Sequence, residues 1–128
     1  PQWTALQLAA TLNGVTYVLD PSTANTSSAH VTDYRQELRM ATGTVSTAYT
    51  WLGAVTVNIT VIAHRDFETL GLVQLEVAPV SGAAPLQLDV VDVLDFDSTQ
   101  RCVLESIGYD DAGIFITVQP EGVEYKHA

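Results

Sequence analysis

At 128 residues the chain has room for about one domain and one core. Hydrophobic residues make up 47% of it and charged residues only 16%, a balance that excludes intrinsic disorder. Fifteen acidic against five basic residues leave a formal charge of −10 with no cluster of Lys or Arg, which excludes nucleic acid and anionic membrane as partners.

The chain opens on Pro1 with no Met before it, which reads as a trimmed mature chain or a fragment. From Trp3 to Leu12, Leu6, Leu8, Ala10 and Leu12 fall on one face; Asn13-Gly14 then supplies a two-residue hairpin turn and Val15, Tyr17 and Leu19 return as an antiparallel strand. Asp20-Pro21 ends this hairpin, and the run PSTANTSSAH is a polar loop without periodicity. The loop holds Asn25-Thr26-Ser27, an N-glycosylation acceptor.

The stretch Tyr34 to Trp51 predicts two strands folded about a turn at Gly43, where positive φ is needed. Tyr34, Leu38 and Ala41 also fit a short helix, but Leu38 and Met40 share a strand face with Arg39 pointing out, and the strand is preferred. Val45, Thr47, Tyr49 and Trp51 then alternate with Thr44, Ser46, Ala48 and Thr50 as a half-buried strand. In the next strand Val55, Val57, Ile59 and Val61 face in, which puts Asn58 outward with Thr56 and Thr60. Asn58-Ile59-Thr60 is the second glycosylation acceptor.

His64, Arg65, Asp66 and Glu68 form a charged connection, read as a solvated loop in preference to a histidine-carboxylate acid/base pair. Val73, Leu75 and Val77 make another strand, ended by Pro79 and a Ser81-Gly82 turn. Between Leu86 and Phe96 the alternation slips at Val90-Val91, which predicts a β-bulge. Asp89, Asp92, Asp95 and Asp97 in this segment raise a calcium site, but Asp89 and Asp92 lie on opposite faces of a regular strand and the spacing is not that of an EF-hand. Cys102 to Ile107 and Gly113 to Val118 are the last strands, with the turn at Tyr109-Asp110-Asp111 and Ile114, Ile116 and Val118 facing in. About nine short strands with no helical crossover predict an all-β chain, an antiparallel sandwich.

Cys102, the single cysteine, excludes a disulfide within the chain; it reads as a small buried hydrophobe or as a half-cystine paired outside it. No phosphate loop, metal-spaced His pair, CxxC or nucleophile elbow is present, so no cofactor, metal or catalytic residue is assigned. A glycosidase of inverting type needs two carboxyl groups about 6.5 to 9.5 Å apart across a sugar. Glu37, Glu68, Glu76, Glu105, Glu121 and Glu124 are instead scattered singly over strands and turns.

The segments LNGVTYVLDPS, YRQELRMATGTVSTAYTW, LDVVDVLDFDSTQRC and GYDDAGIFITVQPEGVEY together resemble the N-terminal domain of fungal secreted or vacuolar acid trehalases of glycoside hydrolase family 65. Most specific are Tyr34-x-x-Glu37-Leu38-Arg39-Met40 followed by Gly43 and Trp51, and Asp95 to Cys102. The resemblance implies a galactose mutarotase-like super-sandwich, of which residues 1–128 are one portion, and a catalytic (α/α)6 barrel absent from this chain. It further implies a secreted, cell-wall or vacuolar location, trehalose as substrate of the whole enzyme, and the remainder of that enzyme as partner. A homo-oligomer is compatible with the sequence. The second reading is an independent carbohydrate- or protein-binding module that would stack its ligand on Trp3, Trp51, Tyr49 or Tyr125.

Overall fold

The computed structural model describes residues 6–21, 23–64, 66–67, 69–94 and 101–122. Among these lie nine strands and no helix: β1 (Leu6–Leu12), β2 (Val15–Leu19), β3 (Val31–Arg39), β4 (Thr44–Trp51), β5 (Val55–Ala63), β6 (Gly71–Pro79), β7 (Gln87–Asp92), β8 (Cys102–Asp110) and β9 (Gly113–Pro120). All pairings are antiparallel. Tyr34 to Arg39 is thus strand and not helix, and Met40 begins the turn that follows.

One compact unit, Leu6–Asp92, contains two sheets, ordered β2-β1-β7 and β3-β4-β5-β6. Leu8 and Ala10 of the first sheet share a core with Tyr49, Trp51, Val55 and Val57 of the second, which makes the unit an antiparallel sandwich. The expected parity holds along β4 and β5, where Thr47, Tyr49, Trp51, Val55, Val57 and Ile59 are buried and their neighbours turn outward. The loop after β2 is polar in composition but not wholly solvated. Pro21 and Ala24 are buried, and Thr23 and Ala24 donate their N–H groups to the Asp20 carbonyl.

Turn chemistry sets the register. Asn13 (φ 52°) and Gly14 (φ 79°) form the two-residue turn predicted between β1 and β2. Between β4 and β5 stands Leu52 at φ 57°, a costly conformation for a branched side chain. Its side chain packs against the core and its N–H donates to the His30 carbonyl at 3.0 Å, which hold it there.

Four expectations need correction. No bulge interrupts β7: Leu6 pairs with Asp92 and each residue follows in step to Thr11 with Gln87. Val90 and Val91 are adjacent apolar residues because β7 is an edge strand that leaves both of them exposed. The bulges lie instead in β3, between Thr32 and Arg35 with Asp33 at φ 54°, and in β8, between Leu104 and Ser106. Leu38 and Met40 are exposed, because the core reaches β3 at Val31 and Tyr34, the opposite end of that strand.

The β8–β9 hairpin belongs to a second compact unit. Its strands run on to Asp110 and Gly113, so the turn is Asp111-Ala112 and not Tyr109-Asp110-Asp111. The Asp110 carboxylate accepts N–H bonds from Ala112 (2.8 Å) and Gly113 (3.2 Å), closing the turn one step later. Ile116 and Val118 are half-buried, but Ile114 is exposed and does not face in. The Phe115 ring lies over its cross-strand partner Gly108, close enough that a Cβ there would meet it at 2.8 Å.

Candidate functional site

The outer face of the four-stranded sheet carries the polar side chains of the sandwich in cross-strand rows. One row runs Arg35, Ala48, Asn58, Glu76 across β3, β4, β5 and β6, and the next runs Thr32, Thr50, Thr56, Ala78. Small side chains at Ala48 and Ala78 sink the surface between longer neighbours into an open groove of about 420 Å³. Asn58 Nδ2 donates to Glu76 Oε2 at 3.0 Å, and Gln74 Nε2 donates to Glu76 Oε1 at 2.9 Å. Asp33, displaced by the bulge, and Arg35 stand at the β3 edge of the groove. A second hollow of about 350 Å³ is lined by Val55, Val77, Pro85, Leu86, Leu88 and other apolar residues, and offers no polar side chain to orient a ligand.

The two acceptor asparagines occupy different settings. Asn58 is half-buried at mid-strand on the outward face, as its parity predicts. Asn25 is exposed in an Asx turn: its Oδ1 accepts from Ser27 N at 2.8 Å and its Nδ2 donates to the Thr23 carbonyl at 3.3 Å.

The scattered acids do not assemble an acid/base pair among the described residues. Glu37 is engaged by Arg39, whose Nε donates to Oε1 at 2.7 Å; this hydrogen bond first, and the Arg39 charge second, hold the carboxyl below its ordinary range. Glu76 serves Asn58 and Gln74 as above. Glu105 and Glu121 are exposed in the hairpin unit, and Glu68 and Glu124 lie outside the described residues. His64 caps its loop, Nδ1 accepting from Asp66 N at 3.2 Å and Phe67 N at 3.1 Å, so this nitrogen is already committed to backbone. Arg65 lies outside the described residues.

Asp89 and Asp92 have opposite parity on the regular β7, and no group of three metal-ligating side chains forms among the described residues; Asp95 and Asp97 lie beyond them. Cys102 is half-buried at the start of β8, opposite Pro120. Of the four aromatic candidates for a sugar platform, Tyr49 (3% exposed) and Trp51 (1%) are core residues, and Trp3 and Tyr125 lie outside the described residues.

The groove itself was not expected from the sequence. Its signal, Ala48 and Ala78 among outward-facing Thr residues, becomes visible only once the β4–β5 register sets Ala48 beside Asn58.

The profile of the glycosyl hydrolase family 65 N-terminal domain matches residues 1–122. The chain belongs to this family. The family 65 chain is 42% identical over 125 residues to the cell wall acid trehalase ATC1 of Candida albicans, a match that covers 98% of this chain and 12% of that protein. It is 33% identical over 136 residues to the periplasmic/secreted acid trehalase ATH1 of Candida glabrata (100% of this chain, 11% of that protein). It is 34% identical over 131 residues to the periplasmic acid trehalase ATC1 of Saccharomyces cerevisiae (96% and 10%). The chain therefore spans about an eighth or less of the length of these relatives. Their names agree with the secreted or cell-wall location that the resemblance to fungal acid trehalases implies. No solved structure matches it at a significant level.

Proposed function

We propose that residues 1–128 are a noncatalytic β-sandwich portion of a secreted α,α-trehalase, which hydrolyses trehalose to glucose on a catalytic barrel that this sandwich supports. The observation that carries the reading is the likeness along nearly the whole chain to proteins named acid trehalases. The division of labour rests on the carboxylates: Glu37 and Glu76 are tied to neighbours on their own sheet, whereas the reaction needs an acid and a base facing one sugar. Across the groove from Glu76 stands Asp33, which accepts from Thr32 Oγ1 at 3.2 Å. Their strands, β3 and β6, are the two edges of the sheet, three strand spacings or about 14 Å apart, wider than the ~6.5 to 9.5 Å of an inverting pair.

The test is glucose release from trehalose by the natural polypeptide that contains these residues and by residues 1–128 alone. The polypeptide is expected to hydrolyse trehalose and the isolated chain to release none. Activity of the isolated chain that survives repurification and disappears on Glu76→Gln would overturn the reading.

A further inference from the structure

We propose that Asn58 carries an N-glycan whose first N-acetylglucosamine lies in the groove on the outer face of the β3-β4-β5-β6 sheet. The proposal rests on the secreted reading above, because attachment requires passage through the secretory route. It commits the groove to a covalent occupant and the outer face to solvent.

Three observations meet at this residue. Asn58-Ile59-Thr60 is an acceptor triplet, and the parity of β5 turns Asn58 and Thr60 outward while Ile59 is buried. Asn58 also lines the groove, whose volume of about 420 Å³ falls within the ~300 to 1,000 Å³ of sites that hold small ligands. Finally, its carboxamide is already oriented. Of the two N–H groups on Nδ2, one donates to Glu76 at 3.0 Å. Glycosylation consumes a single N–H, so the carboxylate bond and the sugar can coexist.

The bond chemistry is a glycosyl transfer from a lipid-diphosphate-linked oligosaccharide. Nδ2 bonds to the anomeric carbon, the bond from that carbon to the diphosphate oxygen breaks, the lipid diphosphate leaves, and Nδ2 loses a proton. No oxidant or reductant is involved.

The surroundings offer a pyranose both an apolar floor and polar partners, with Asp33, Arg35 and Glu76 at the margins. Ala48 and Ala78 give a shallow apolar floor, Thr50 and Thr56 stand beside it with methyl and hydroxyl groups, and Arg35 offers donors at the far side. Tyr49, the one aromatic residue among those lining the groove, is buried in the core and presents no exposed stacking ring, so the groove alone would hold a free sugar weakly. A tether at Asn58 removes most of that difficulty by raising the local concentration of the sugar.

Asn25 is the internal reference, being an exposed acceptor on a loop. The natural enzyme, secreted from a eukaryotic host, is mapped by peptide mass before and after an endoglycosidase that cuts within the chitobiose core, native and denatured. Expected are glycans at both sites, with release at Asn58 roughly tenfold slower than at Asn25 in the native protein, because cutting there first requires the sugar to lift from its face. Denaturation should equalise the rates. Thr60→Ala should delete the Asn58 glycan and Thr60→Ser keep it, and Ala48→Leu, which fills the groove floor, should leave attachment intact while making native release fast.

An unmodified Asn58 beside a modified Asn25 overturns the site and leaves secretion standing. Both sites unmodified overturn the site together with the secretory route. A modified Asn58 released as fast as Asn25 from the native protein overturns its seat in the groove.

Discussion

Tyr49 shows what a single side chain contributes when its hydrocarbon and its polar end are in conflict. The ring is buried in the sandwich core, but its hydroxyl makes no hydrogen bond, a costly state for a buried donor. Burial first, then the charges of Asp20 and Tyr34, push the phenol well above its ordinary value of 10.0. The sign follows from linkage. The unfolded chain ionises at the ordinary phenol value while the folded chain still holds the proton, so the stability from neutral Tyr49 is complete below about pH 10 and falls as pH rises above it. Tyr49→Phe removes the stranded hydroxyl and keeps the ring. It should leave the natural enzyme equally stable or up to ~1 to 3 kcal/mol more stable at neutral pH, and should flatten the alkaline loss. Denaturant unfolding of both proteins across the alkaline range checks this, and a clear loss of stability in the Phe variant would mean that the hydroxyl is held by a partner after all.

At the scale of elements, alternation was readable wherever one face of a strand is covered and the other is wet. That condition holds for β4, β5 and β6, and their inward residues follow from a period of two. It fails at β7, where exposed Val90 and Val91 imitate a slip in register. The bulge in β3 was not legible because Asp33 and Tyr34 are as compatible with continued alternation as with an insertion; only the cross-strand partner Tyr49, which faces both, reveals it. The groove was hidden for the same reason, since it is a property of paired strands and not of one. Trp51 is the opposite case, its parity with Val45 and Tyr49 being enough to bury it. Trp51→Ala should therefore damage folding, at ~3 to 5 kcal/mol for a large aromatic truncated in a core. Denaturant unfolding of the natural enzyme beside a sugar-binding assay separates the outcomes. Unchanged stability with lost binding would make Trp51 a surface platform.

For the whole chain the question is which surfaces are finished. Two units are present, and the β8–β9 hairpin leaves Val103 54%, Ile107 65% and Tyr109 86% exposed, with Ile114 and Phe115 also exposed on the second strand. A two-stranded sheet of this kind is marginal alone. In the larger unit β7 adds exposed Val90 and Val91 along a sheet edge, which is a template for further pairing. The proposed remainder of the enzyme would cover such surfaces through an obligate interface, on the order of 2,000 Å² or more. Residues 1–128 expressed alone should accordingly aggregate or misfold. Their formal charge of −10 opposes self-association at neutral pH, but the repulsion fades as carboxylates protonate toward the pI near 4.3, so acid should be the harsher condition. Size-exclusion profiles at about pH 7 and about pH 4.5 make the comparison, the lower value lying close to the ordinary carboxyl range. Broad or void-volume elution that worsens in acid is expected, and co-expression with the rest of the polypeptide should rescue it. A sharp monomer that unfolds cooperatively at both pH values would show a self-sufficient domain, and its exposed apolar strands would then belong to a stable surface and not to an unfinished sandwich.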